Sequence, residues 1–248
     1  MVYERLLQAI ERDERAVVLT VIEGEPLGAH MLVVEGGESV GEGVPAEVVA
    51  QADDLIRGHR NQIVESGDVK VFAEIYAPPP RLLIYGAVDT AEALCKAANL
   101  LGWRTIVADA RQKFATRERI PSAAELIVEW PEEALAQVAP DHATAVVVLT
   151  HDDKFDVPAL RAALGTDAFY IGALGSRRNQ ERRRERLAEA GVSDEDFERI
   201  HGPCGLDLGA DSQPETALSI LAEVVAVRMG REGGPLKAAK KRIHAEVE

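Results

Sequence analysis

Apolar positions change their rhythm once along this chain, at Pro78-Pro79-Pro80. Before that point they come as alternating or β-branched runs broken by glycines. After it they come as compact apolar runs separated by helical stripes. In the first part, residues 2–11 read as a short helix. The run Val17, Val18, Thr20, Val21, Ile22 predicts a strand over 16–23. A second strand is expected over 30–35, with Gly36-Gly37 as a hairpin turn. Pro45 opens an expected helix whose apolar positions are Val48, Val49, Ala52, Leu55, Ile56 and Ile63. A strand over 69–76 follows. Three consecutive prolines are stiff and non-helical, so a domain boundary is expected there. The expected organisation is a small N-terminal α/β domain over 1–77, a second domain over 78–230 and a C-terminal tail over 231–248. That tail, with Lys237, Lys240, Lys241 and Arg242, is expected to be only loosely docked.

Beyond the prolines the pattern alternates strand and helix. Strands are expected over 81–85, 105–108, 125–129, 143–150 and 168–171. Between them lie helical stretches. The first carries Ala91, Leu94, Cys95, Ala98 and Leu101 on one face. Others are expected over 132–138, over 157–164 and from Arg177. Ser212-Gln-Pro-Glu215 reads as a capping box opening a last helix with Ala217, Ile220, Leu221, Val224 and Val227. The near-continuous apolar run over 143–150 suits a parallel strand buried on both faces. This alternation predicts an α/β class fold: a Rossmann-like, doubly wound, mostly parallel sheet preceded by the small α/β domain.

Composition narrows the function. The chain has 248 residues, 46% of them hydrophobic and 28% charged, an ordinary globular balance. Its formal net charge of -14 argues against nucleic acid or an anionic membrane as partner. Against that background Arg177, Arg178, Arg182, Arg183, Arg184 and Arg186 form a local basic cluster, suited to a discrete anionic ligand or an acidic partner patch. Glu181 and Glu185 interleave, as on a solvated helix face. The two cysteines, Cys95 and Cys204, have no metal-ligand spacing, and a reduced, cytoplasmic protein is expected. No stretch approaches the length of a membrane span, and residues 1–15 lack a signal-peptide core.

Three expected strand ends carry candidate chemistry. Tyr170-Ile-Gly-Ala-Leu-Gly-Ser-Arg-Arg178 joins a strand to a helix through Gly172 and Gly175, with Ser176 as helix cap. Glycines allow close backbone approach, a helix N-terminus offers free N–H groups, and Arg177 and Arg178 add anion binding. A phosphate site and a plain tight turn with solvated arginines both fit. At Gly86-Ala87-Val-Asp-Thr-Ala91, Gly86 matches the first glycine of a dinucleotide fingerprint and Ala91 its last small residue. Val88 stands where the middle glycine belongs, and Asp89 would repel phosphate. Asp109 lies about where a ribose-binding acid is expected, with Arg111 beside it. His151 and Asp152 follow the fourth strand, where a ligand crevice opens, although an aspartate there can equally cap the next helix. Cys204, in the glycine-rich segment 200–210, reads as a soft-metal or sulfur site or, more simply, as a small buried residue.

Taken together, the run Phe169 to Arg178, the arginine-rich helix to Leu187, the His201-Gly-Pro-Cys-Gly-Leu-Asp-Leu-Gly-Ala210 segment and the helix Glu215 to Arg228 resemble the XdhC/CoxI family. Residues 111–121 and Thr150-His151-Asp152 match it as well. The resemblance spans about Pro80 to Gly230. It implies a maturation factor for molybdenum hydroxylases such as xanthine and carbon monoxide dehydrogenases. It further implies binding of the molybdenum cofactor (molybdopterin or its dinucleotide form), sulfuration through a cysteine desulfurase, delivery to the apo-hydroxylase, and a homodimer. Phosphate is then expected on Gly172, Gly175, Ser176, Arg177 and Arg178, with His151 and Asp152 on the pterin or ribose. Gly86, Ala87, Asp109 and Arg111 would line the rest of the crevice. Many members carry Gly-Gly-Cys in the small domain, where this chain reads Gly41-Glu-Gly-Val-Pro-Ala-Glu47. The rival readings are an NAD(P)-dependent oxidoreductase and a scaffold that binds the hydroxylase without a small ligand.

Overall fold

A computed structural model describes residues 1–238. Lys240, Lys241 and Arg242 of the expected tail lie outside the described residues. The chain divides into two compact units, Met1–Pro78 with the stretch from Pro235 on, and Pro79–Gly234. The last described turn, Leu236–Ala238, therefore groups with the first unit.

The first unit holds α1 (Val2–Glu11), β1 (Ala16–Glu23), β2 (His30–Val34), β3 (Ser39–Gly41), α2 (Ala46–Val49), α3 (Ala52–Arg57), β4 (Gln62–Ser66) and β5 (Val69–Tyr76). Its sheet is antiparallel throughout, in the order β3-β2-β1-β5-β4. Central β1 is buried on both faces. Val17, Leu19 and Val21 pack against Val48, Leu55 and Ile56 of α2 and α3. Ala16 and Val18 pack with Leu32 against Val2, Leu6 and Ala9 of α1. One expectation fails here: Ile63 belongs to strand β4, not to a helix beginning at Pro45. His59 adopts φ 53, which ends helical geometry before Ile63 is reached. The chain then pairs with β5 across Gly67-Asp68, with Gly67 at φ 58.

The second unit contains β6 (Arg81–Tyr85), α4 (Asp89–Leu100), β7 (Arg104–Ala108), β8 (Glu125–Ile127), α5 (Pro131–Val138) and β9 (Thr144–Val148). It continues with α6 (Asp153–Leu164), β10 (Tyr170–Ala173), α7 (Arg177–Glu189), α8 (Asp194–Phe197), β11 (Ile200–His201) and α9 (Gln213–Arg228). Six strands form one parallel sheet in the order β11-β10-β9-β6-β7-β8. Alternate residues of β6 feed opposite cores. Leu82 and Ile84 pack with Ala91, Leu94, Cys95, Ile220 and Val224 of α4 and α9. Leu83 and Tyr85 pack with Leu135, Phe155, Leu160 and Leu187 of α5, α6 and α7. This is the doubly wound fold the sequence predicts. Two details differ. Gly172 lies within β10 rather than after it, and residues 200–201 add a sixth strand where only a loop is expected. Among the described residues no helix is long and apolar enough to cross a membrane.

The capping box is present: Ser212 Oγ accepts from the Glu215 N–H, and the Glu215 carboxylate accepts from the Ser212 N–H at 2.8 Å. Both tryptophans, Trp103 and Trp130, lie in the second unit, so their fluorescence reports its unfolding. Ser212→Ala is expected to lower that unit's stability by about 1 kcal/mol. The change should appear as a lower urea midpoint at unchanged slope.

Candidate functional site

The crossovers leaving β6 and β9 run to opposite sides of the sheet, and these two strands are neighbours. Where strand order reverses in this way, a crevice opens at the carboxyl ends. Gly86 closes β6 with φ 114. A Cβ there would stand 2.9 Å from Thr150 Cγ2 and 3.2 Å from the Thr150 N–H nitrogen, so only glycine lets the two strand ends meet. Gly86, Ala87, His151 and Asp152 therefore share one edge of the sheet, and the β10–α7 connection adjoins them through β9.

The first half of that edge is committed to itself. The Asp109 carboxylate is buried after β7 and accepts from the Ala87 N–H at 3.0 Å. It also accepts from the Arg111 N–H (2.9 Å), Nε (2.9 Å) and Nη2 (2.8 Å). Burial works against the charged form, yet these bonds hold the carboxyl below the usual carboxylate range. Asp109 thus fastens the β6–α4 loop and aims Arg111. The guanidinium lies over Phe114 at 4.3 Å and Phe155 at 5.3 Å, and among the described residues its Nη1 makes no hydrogen bond. The N-cap of α4 is Val88, which makes no capping bond. Asp89 occupies the first turn and pairs with Arg119 at 3.3 Å.

The second half is arranged differently. Asp152 caps α6, accepting from the Lys154 N–H at 3.1 Å, and His151 beside it is exposed. Sequence reasoning missed the buried group behind them. Thr150 donates to Asp156, whose other oxygen meets Arg183 Nη2 at 3.0 Å. Arg183 Nη2 also donates to the Leu174 carbonyl at 2.9 Å, and Nη1 to Gln180 at 2.5 Å. Burial raises the Asp156 carboxyl, and the Thr150 and Arg183 bonds oppose it.

Arg183 is thus an internal strut and not part of an exposed basic face. Its neighbours are also paired: Arg182 with Asp153, Arg184 with Asp194 and Glu198, Arg186 with Asp153 and Glu189. Arg177 and Arg178 remain exposed in the first turn of α7, without an ion pair among the described residues. Ser176 caps that helix, accepting from the Asn179 N–H at 3.2 Å, and Gly175 before it has φ 154.

Gly172 has a packing role. A Cβ there would lie 2.6 Å from the Tyr170 ring and 2.7 Å from its hydroxyl oxygen. That ring stacks on His201 at 4.6 Å and donates its hydroxyl to Glu223 at 2.5 Å. The Gly205 N–H donates to the same oxygen at 2.7 Å, and His201 Nδ1 lies 3.4 Å from the other. Burial opposes ionisation of Glu223, but the bonds from His201, Tyr170 and Gly205 prevail and lower its titration. Cys204 is the small buried residue of the simpler reading; burial pushes its thiol up to about 12. No group of three or more His, Cys, Asp or Glu side chains among the described residues is disposed to hold a metal.

Arg183→Met would leave Asp156 charged and unpaired in the interior. The expected loss is about 3–5 kcal/mol near neutral pH, read from urea melts of tryptophan fluorescence. It should shrink as pH falls, because Asp156 then takes a proton. A loss independent of pH would mean that Arg183 acts by packing alone. Glu223, whose titration is lowered on folding, contributes stability above the ordinary glutamate value of about 4.3. That contribution disappears as pH falls through the lower folded value. Glu223→Gln is expected to flatten this acid limb of the stability profile.

Comparison with known proteins identifies the family. Residues 82–224 match the XdhC Rossmann domain. The chain is 34% identical over 157 residues to the molybdenum cofactor insertion chaperone PaoD of Escherichia coli, covering 63% of this chain and 43% of that protein. It is 31% identical over 158 residues to a probable xanthine dehydrogenase subunit of Bacillus subtilis, covering 64% and 46%. The chain thus spans less than half the length of the curated relatives it matches. A solved structure described as a xanthine dehydrogenase from Bacillus halodurans shares the fold, with a TM-score of 0.70 at 24% identity, over 92% of this chain and 67% of that one. With the family's domain matched across β6 to α9 and its doubly wound sheet in place, this chain belongs to the XdhC family.

Proposed function

We propose that this chain binds the molybdenum cofactor, as molybdopterin or its dinucleotide form, and hands it to a molybdenum hydroxylase of the xanthine or carbon monoxide dehydrogenase type. The observation that carries this reading is the pair Arg177 and Arg178. Theirs are the guanidinium groups of the arginine-rich helix that make no ion pair among the described residues, and they sit where α7 begins beside Gly175. Free guanidinium groups at a helix N-terminus fit the phosphate of a pterin cofactor. The names of the relatives point the same way, PaoD being an insertion chaperone. His151 and Asp152 would then face the polar ring or ribose, and Arg111 Nη1 would close the far side with Gly86 and Ala87.

Sulfuration in this reading belongs to a cysteine desulfurase partner. The chain's own thiols, Cys95 and Cys204, are buried and both pushed up to about 12, so neither is a ready thiolate. Two unpaired cysteines suit a reducing cytoplasm. The homodimer rests on the family resemblance. NAD(P) is the rival ligand: the strand order favours it, whereas Val88, Asp89 and the committed Asp109 count against it.

The test mixes the purified chain with molybdenum cofactor and, separately, with NADPH. Retention on a desalting column and nicotinamide fluorescence are then measured. Co-eluting molybdenum and pterin without nicotinamide binding is expected; nicotinamide binding alone would favour an oxidoreductase. Arg177→Ala with Arg178→Ala should weaken cofactor binding by about 2–4 kcal/mol, at roughly 1–2 kcal/mol per charge-assisted contact. Unchanged affinity in calorimetry would remove the phosphate site.

A further inference from the structure

The carboxyl edge of the sheet carries, at the ends of β7, β8 and β9, a group of side chains that the Arg177–Arg178 phosphate site does not use. Trp130 leaves β8 at the N-cap of α5, and Lys154 and Phe155 lie in the first turn of α6 after β9. Arg111 follows β7. These residues converge on Phe155. Its ring lies 5.4 Å from that of Trp130, 5.6 Å from Lys154 Nζ and 5.3 Å from the Arg111 guanidinium carbon. Lys154 Nζ also stands 4.8 Å from the Trp130 ring.

Burial separates the roles. Phe155 is 7% exposed and belongs to the core, whereas Trp130 is 45% exposed. A large flat ring that is nearly half exposed, backed by a buried ring and flanked by a cation, has the makings of a stacking platform. Its flanking cations differ in charge cover. Lys154 has no carboxylate partner among the described residues, and its neighbours are the two rings. Arg111 spends Nε and Nη2 on Asp109 and keeps Nη1. The group's members follow β7, β8 and β9, whereas Arg177 and Arg178 follow β10.

We infer that Trp130, Lys154 and Arg111 form a subsite for a flat heteroaromatic ring bearing an anionic group, the ring stacking on Trp130 and the anion facing the two cations. Either a nucleobase with its phosphate or a pterin with an acidic substituent has this chemistry. The inference rests on the cofactor-carrying reading only for which of the two is the natural ligand. A dinucleotide form of the cofactor would occupy this subsite with one end and the arginine pair with the other.

The experiment titrates the full chain with GMP, with CMP, with 6-carboxypterin and with inorganic phosphate. It reads tryptophan fluorescence and calorimetric heat. Saturable quenching by a ring-bearing ligand, and none by phosphate, is expected. Trp130→Ala and Lys154→Ala should each weaken that binding about tenfold or more. Both side chains are surface-exposed, and circular dichroism melts verify that the variants fold. Binding of the nucleotides assigns the ring to a nucleotide; binding of the pterin alone assigns it to the pterin. Absence of saturable binding by every ring, or affinities untouched by both substitutions, overturns the subsite. The two readings fail separately. If wild-type chain and both variants retain molybdenum cofactor equally and bind no free ring, the subsite falls and the chaperone reading stands. If free rings bind through Trp130 while molybdenum cofactor is not retained, the chaperone reading falls and the subsite stands.

Discussion

The ion pair of Arg183 with Asp156 sets the geometry at the carboxyl edge of the parallel sheet. Two charges leave water at a cost of several kcal/mol each, recovered only if their remaining donors and acceptors are also satisfied. Here Asp156 receives Thr150 from the end of β9 while Arg183 reaches the Leu174 carbonyl after β10 and Gln180 on its own helix. One strut therefore ties β9, α6, the β10–α7 loop and α7. Among the described residues Arg183 Nε finds no partner, so the site keeps part of its desolvation cost. What that cost secures is position. Arg183 fastens α7 to β9, α6 and the β10–α7 loop, and so fixes where the first turn with Arg177 and Arg178 begins.

Asp109 plays a matching part on the opposite side of the switch point. In a dinucleotide-binding sheet an acid at this place serves the ligand's ribose. Here its oxygens are filled by the Ala87 N–H and by three donors of Arg111. The carboxylate has become scaffold. The same substitution of role appears at α4, where Asp89 supplies the negative charge that a phosphate would bring to the helix N-terminus, and Arg119 covers it. A strand order suited to dinucleotides thus coexists with a first loop that satisfies itself.

Much of the fold was legible because its signals are local and periodic. The apolar run through Val146, Val147 and Val148 announces a strand buried on both faces, and Ser212 with Glu215 announces a helix start. The failures are cases where a distant contact decides. Ile63 fits a helical stripe in sequence, but the left-handed His59 and the pairing with β5 make it a strand residue. Strand β11, at Ile200–His201, is too short to carry any alternation, and it exists because β10 offers an edge. Gly172 reads as a ligand-approach glycine, and the Tyr170 ring two residues earlier on the same face gives it a local packing role as well. The arginine run is the clearest instance. Sequence shows where the positive charges are, but which of them are already neutralised depends on Asp153, Asp156, Asp194 and Glu198, which lie outside the run. The Trp130, Lys154 and Phe155 group left no sequence signal, since its members come from two separate strand ends.

That neutralisation has an electrostatic consequence. A chain with net charge -14 repels anions at long range, and pairing most of the α7 arginines with carboxylates removes the field that could steer them in. At physiological ionic strength the repulsion fades within about 8 Å. On the proposed reading, a small anion can then reach Arg177 and Arg178 despite the chain's net charge. On that reading, α7 thus offers a compact anion the two guanidinium groups that no carboxylate among the described residues covers, while Arg182, Arg183, Arg184 and Arg186 are already neutralised.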